Sequence, residues 1–99
     1  MMEQWQTILR VKGAAGTISL LARQRDSEQW EYYRTSSINT AQQEQPIVHT
    51  FAEALSLLGQ SWKYLTPEYI HPQFKQQCWS LLSKQSGMFD RVNWRRACL

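Results

Sequence analysis

The two halves of this 99-residue chain carry hydrophobic patterns of different period. Residues 4–35 alternate apolar and polar side chains, which is typical of β-strands with one buried face. Residues 50–85 place apolar side chains three and four positions apart, which is typical of amphipathic helices. Strands followed by helices predict an α+β fold, in which helices cover one face of an antiparallel sheet.

The first half of the chain predicts a three-stranded β-meander over residues 4–35. Its strand-like runs are separated by two short turn signals, one at Gly13 to Gly16 and one at Arg25 to Glu28. The third run contains Trp30, Tyr32 and Tyr33, and aromatic residues are enriched in strands. Short turns between successive runs favour antiparallel pairing.

The second half predicts a polar loop over residues 36–49, a helical layer over 50–87 and a basic tail over 88–99. We expect two α-helices in the layer, packed on one sheet face, and at most a short helical turn in the tail. Together the segments form one small domain, 1–99, which suits the length of the chain.

Local signals place the two helices. Thr50 and Glu53 form a capping box, so the first helix is expected to run from about Phe51 to Tyr64. Pro67 and Pro72 disfavour helical geometry in the residues before them, which predicts a non-helical connector and a second helix that begins at Pro72.

The net charge of +3 is concentrated at one end of the chain. Lys84, Arg91, Arg95 and Arg96 are opposed only by Asp90, whereas the charges of residues 1–83 cancel. A basic tail can contact nucleic acid, acidic protein or anionic lipid, or only keep the chain soluble. The first residues carry neither the positive charge nor the apolar run of a signal peptide, and the sequence has no run of about 20 apolar residues, so we expect a cytoplasmic protein without a membrane segment.

No catalytic or metal-binding motif is recognisable. His49 and His71 lack the spacing of zinc ligands, and Cys78 lies among helix-patterned apolar residues, which favours a buried free thiol over a nucleophile. Cys78 and Cys98 are too few for a disulfide framework. We therefore expect neither an enzyme nor a cofactor or metal.

Strand register predicts which side chains share a face. Symmetric turns would place Val11 opposite Ile18 and Arg23 opposite Trp30. The face expected to contact the helices would then collect apolar side chains, namely Trp5, Leu9, Val11, Ile18, Leu20, Ala22 and Tyr33. The opposite face would collect aromatic, aliphatic and basic side chains, namely Ile8, Arg10, Leu21, Arg23, Trp30, Tyr32 and Arg34.

This second face predicts a partner-binding surface built from Arg10, Arg23, Trp30, Tyr32 and Arg34. Tryptophan, tyrosine and arginine dominate protein interfaces, so we expect a small accessory protein that occludes a protein partner or associates with a second copy of itself. Its size and layout are similar to those of bacterial immunity proteins and antitoxins. Aromatic residues interleaved with arginines also suit single-stranded nucleic acid, which is the alternative. A third possibility is that the tail folds over this face as additional core.

Overall fold

The computed structural model describes residues 4–14, 16–26, 28–36, 46–85, 87 and 89–99, apart from the side chains of residues 60 and 61. The described chain forms a four-stranded antiparallel sheet and three α-helices. The strands are β1 (Gln6–Gly13), β2 (Gly16–Gln24), β3 (Trp30–Ser36) and β4 (Thr66–Ile70). The helices are α1 (Phe51–Ser56), α2 (Lys75–Leu82) and α3 (Arg91–Cys98).

The α+β class predicted from the sequence is confirmed, whereas the predicted arrangement of a three-stranded meander and two helices is not, because the described chain has four strands and three α-helices. The predicted connector between the helices contains a fourth strand, which gives the sheet order β3-β2-β1-β4. Pro67 is tolerated because β4 is an edge strand and its register with β1 shifts beside this residue. Proline is a signal against a strand in the sequence, so β4 was missed.

The helical layer is shorter and more broken than the sequence pattern predicts. Thr50 caps α1 by accepting the N–H of Glu53 at 3.1 Å, as expected, and its hydroxyl donates to the Glu53 carboxylate at 2.8 Å. Gly59, at φ 71°, then adopts a left-handed conformation that L-residues with side chains disfavour, and a 3₁₀ helix follows over Gln60–Tyr64. A second 3₁₀ turn, Pro72–Phe74, leads into α2.

The basic tail contains a full helix rather than a single turn. Asp90 caps α3 by accepting the N–H of Asn93 at 3.1 Å, and α3 packs against β4 and α2. Trp94 of α3 is completely buried and meets Trp62 edge to face, with ring centroids 5.6 Å apart. The described tail is therefore part of the core on the helical side of the sheet.

The hydrophobic core lies between one face of the sheet and the helices. Its sheet side is formed by Ile8, Leu9, Val11, Ile18, Leu20, Ala22 and Tyr32. Its helical side contains Phe51, Leu58, Trp62, Phe74, Cys78, Leu82 and Trp94. The predicted polar loop 36–49 lies mostly outside the described residues, but Val48 pairs with Tyr32 through two 2.9 Å backbone hydrogen bonds. Among the described residues, no helix is long and apolar enough to cross a membrane.

Candidate functional site

The turn between β2 and β3 reverses the predicted faces of β3. A symmetric two-residue turn would place Arg23 opposite Trp30, whereas the structure places Arg23 opposite Glu31 and Leu21 opposite Tyr33. The cause is a wider loop, which the Arg25 N–H closes by donating to the Gln29 carbonyl at 2.9 Å. One additional loop residue shifts the pairing by one and exchanges the two faces of the strand.

Asp26 accounts for the wider loop. Its Oδ1 accepts the backbone N–H groups of Glu28 and Gln29, both at 3.0 Å. Such a turn around an aspartate side chain is a known alternative to a two-residue hairpin turn.

A β-bulge in β1 reverses the predicted faces of the β1 residues that precede it. The pairing of β1 with β2 is as predicted from Gly13 back to Leu9, which lies opposite Leu20, but Thr7 then lies opposite Leu21. Ile8 is the additional residue, and both Ile8 and Leu9 are completely buried. The strand before the bulge is shifted by one, which moves Trp5 away from the core.

The five predicted partner-binding residues therefore do not share one face. Arg10 and Arg23 lie on the side of the sheet away from the helices, as expected. Trp30, Tyr32 and Arg34 lie on the helical side instead, because β3 pairs one residue out of the predicted register. Conversely, Trp5 and Tyr33, which were expected in the core, lie with Arg23 on the outer side.

Tyr32 and Trp30 belong to an aromatic cluster between the sheet and the helices. Tyr32 is 4% exposed and lies edge to face with Phe51 and Phe74, at centroid distances of 6.1 and 6.2 Å. Trp30 is half-buried and meets Phe74 at 5.4 Å. Burial disfavours the phenolate and raises the pKa of Tyr32 above its ordinary value of 10.0.

Arg34 has a structural contact at the end of α1. Its Nη1 donates to the carbonyl of Leu57, the residue that follows the helix, at 3.3 Å. A cation at a helix C-terminus satisfies a carbonyl that has no intrahelical partner and interacts favourably with the helix dipole. This contact explains an arginine on the buried side of β3.

The open side of the sheet carries aromatic and basic side chains that the predicted register assigned to two different faces. We call it the outer sheet face and define it as Trp5, Arg10, Lys12, Leu21, Arg23, Glu31, Tyr33 and Tyr69. In the described part of the chain, its apolar members Trp5, Leu21 and Tyr33 neither belong to the hydrophobic core nor pack against it.

Four side chains at one end of the outer sheet face hold each other in place. Trp5 meets Tyr33 edge to face at 4.6 Å, and the Arg23 guanidinium lies 4.5 Å from the Trp5 ring centroid. Nε of Arg23 also donates to Glu31 at 2.8 Å. A ring fixed by two neighbours loses little conformational entropy when a partner binds.

The electrostatics of the outer sheet face are positive. The Arg23 hydrogen bond holds the pKa of Glu31 below its ordinary value of 4.5, against the effect of desolvation, and Arg25 at 3.6 Å adds to the lowering. Glu31 is thus ionised at neutral pH, and the positive charges of Arg23 and Arg25 balance its negative charge. Arg10 and Lys12 are exposed and form no ion pair with any described residue.

Two signals in the sequence point toward the observed face. Ile8 and Leu9 are adjacent apolar residues in an otherwise alternating strand, which is what a bulge with both side chains in the core produces. Asp26 is a residue type that favours turns built on its own side chain. Tyr69, opposite Arg10 on β4, carried no such signal because Pro67 argued against a strand.

The remaining candidates for chemistry have structural contacts. His71 Nδ1 accepts the N–H of Gln73 at 3.1 Å and so caps the 3₁₀ turn before α2. Cys78 is a free, fully buried thiol, as expected, and it shares a hydrogen bond with Cys98 of α3. Within the described ranges, no three His, Cys, Asp or Glu side chains lie together as metal ligands would.

Comparison with known proteins adds no further assignment. No protein family model matches the chain, and neither a curated protein nor a solved structure matches it.

Proposed function

We propose that this protein is a non-catalytic binding protein that occludes a protein partner with its outer sheet face. The observation that carries the proposal is a set of ordered rings, together with cations that pair with no described carboxylate, on the side of the sheet opposite the core. Trp5 and Tyr33 lie there beside Arg23, and aromatic anchors beside arginines are the composition of interface hot spots.

The charge of the face specifies the chemistry of the partner. The exposed Arg10 and Lys12 would complement carboxylates on a partner, and Tyr69, which is 38% exposed, lies directly across from Arg10. We therefore expect an apolar patch rimmed by aspartate or glutamate on the partner. Cationic rim residues accelerate association with such a surface and fix its orientation.

Single-stranded nucleic acid fits this face less well than an acidic protein does. Bases stack on exposed ring faces, but the Arg23 guanidinium covers the Trp5 ring and Tyr33 meets Trp5 edge-on. Arg23 is in addition neutralised by Glu31.

The test compares two variants with equal changes of charge and ring content. Arg10→Glu with Tyr69→Ser alters the outer sheet face, and Lys84→Glu with Tyr64→Ser alters exposed residues elsewhere, Tyr64 being 86% exposed. A partner captured from cell extract by the tagged wild type is identified, purified and titrated against all three proteins by calorimetry. We expect the outer-face variant to lose about tenfold or more in affinity and the control to stay within about twofold.

The second part of the test is the oligomeric state of the isolated proteins, measured by sedimentation. A wild-type monomer leaves the face open for a partner, whereas a dimer dissociated only by the outer-face variant would replace the proposal with self-association. Equal loss of partner affinity in both variants would refute a role for this face. A partner that proves to be nucleic acid would support the alternative function.

A further inference from the structure

A second surface, distinct from the outer sheet face, lies along the exposed side of α3. A groove of about 690 Å³ is lined by Trp79 of α2 and by residues of the C-terminal segment, namely Arg91, Val92, Arg95, Arg96 and Leu99. We call it the α3 groove. Val92 and Leu99, which are 66% and 72% exposed, lie together on this surface with the half-buried Trp79.

The positive charges of the α3 groove are not balanced by acidic side chains in the described part of the chain. No carboxylate of the described chain pairs with Arg91, Arg95 or Arg96. Arg91 and Arg95 lie one helical turn apart, where like charges repel. Arg95 and Arg96 interact favourably with the C-terminal end of the α3 dipole, but the dipole does not explain the exposed aliphatic side chains of Val92 and Leu99 in the same groove.

One of the three arginines is held in position before any ligand arrives. Nη2 of Arg91 donates to the Gln85 carbonyl at 3.0 Å, and its guanidinium lies 4.4 Å from the Phe89 ring centroid. Arginine also presents a planar set of donors that matches a carboxylate with two parallel hydrogen bonds. The groove thus offers an apolar floor at Trp79 and Val92 with guanidinium groups along its rim.

We propose that the α3 groove binds an acidic amphipathic segment of a protein partner, with apolar side chains on the floor and carboxylates on the arginines. Carboxylates one turn apart on a helix match the spacing of Arg91 and Arg95. A lipid surface fits less well because two exposed aliphatic residues provide a small apolar area for insertion. Nucleic acid would leave Val92 and Leu99 without an apolar contact.

The probe is a labelled synthetic peptide with glutamates one turn apart and leucines on the adjacent face, titrated by fluorescence anisotropy. Arg95→Glu with Arg96→Glu should weaken binding about tenfold or more. Arg25→Glu with Lys84→Glu is the matched control, because it changes the net charge equally at exposed residues outside both proposed surfaces, and it should change affinity by less than about twofold. Val92→Ser should weaken binding several-fold by removing an apolar contact.

Three comparisons make the proposal falsifiable. A peptide of the same composition in scrambled order should bind at least about fivefold more weakly if the amphipathic arrangement matters. Equal binding of that peptide, or equal loss in both charge-reversal variants, would reduce the effect to net charge and overturn the proposal. Tighter binding of an oligothymidine or of phosphatidylserine vesicles, lost in the Arg95/Arg96 variant, would assign the groove to that ligand class instead.

The charge reversals place anions at the end of α3, so folding needs its own control. Arg95→Gln with Arg96→Gln removes the cations without opposing the helix dipole. This variant should keep the circular dichroism of the wild type and still lose most of the peptide affinity. Unchanged affinity in it would overturn the proposal.

Discussion

The register of β3 makes a strong prediction about two adjacent tyrosines. Tyr32 and Tyr33 have the same side chain and are consecutive in the strand, but they lie on opposite faces of the sheet. Tyr32→Ala removes a ring that is 4% exposed and packed against Phe51 and Phe74. Truncation of a buried aromatic residue to alanine costs about 3 to 5 kcal/mol of unfolding free energy.

Tyr33→Ala should cost much less. Tyr33 is half-buried, and its principal aromatic contact is the edge-to-face pair with Trp5. Such a pair contributes about 0.5 to 1.5 kcal/mol beyond area burial, and no core cavity forms when the ring is removed. The two substitutions should therefore differ by about 2 kcal/mol or more.

Urea denaturation followed by far-ultraviolet circular dichroism measures this difference, because it does not depend on the tryptophans beside either tyrosine. Tyr32→Phe keeps the ring and is the control, with an expected loss below about 1.5 kcal/mol. If Tyr32→Ala does not fold, Tyr32→Leu gives a measurable intermediate loss. Equal losses for the two alanine variants, or a larger loss for Tyr33→Ala, would refute the assigned register and with it the outer sheet face.

Three further measurements test the site and its support. The pKa of Glu31 is lower in the folded protein than in the unfolded chain, so its stabilising effect is complete above pH 4.5 and is lost as the pH falls through the folded-state pKa. Glu31→Gln should therefore make the unfolding free energy less dependent on pH in that acidic range. Thr50→Ala removes the cap of α1 and should cost about 1 kcal/mol in urea denaturation, whereas Thr50→Ser should be nearly neutral. Cys78 and Cys98 are buried, so native protein should react with iodoacetamide far more slowly than urea-unfolded protein. Because the hydrogen bond from Cys78 lowers the pKa of Cys98, peptide mass spectrometry should find Cys98 modified first.

The features predictable from the sequence are those set by local chemistry. The alternation in residues 4–35 placed three strands, and the Thr50 capping box placed the start of α1. The buried thiol of Cys78 also follows from its immediate neighbours. These predictions are right because each depends on a few residues that are adjacent in the chain.

Features that depend on counting residues across a turn were not predictable in the same way. A loop of two residues and a loop that is one residue longer are both compatible with the polar segment after Gln24, but they give opposite faces to every residue of β3. Tyr32 and Arg34 were therefore assigned to a binding surface, while the structure uses one as core and the other at the end of α1. Residue type alone does not separate these roles, since buried tyrosines and helix-capping arginines have the same side chains as interface residues.

Both proposed surfaces carry exposed cations. An experiment that distinguishes them must therefore control for the change in net charge. Among the described residues, no carboxylate pairs with Arg10 and Lys12 of the outer sheet face or with Arg95 and Arg96 of the α3 groove. Salt screens exposed charges at both places, so a salt-dependent affinity is expected whichever surface binds. Reversal of two charges on one surface changes the net charge by the same amount as reversal of two on the other, and the long-range attraction of an acidic ligand falls equally in both variants. Any difference in affinity that remains between the variants must therefore come from contacts at one surface.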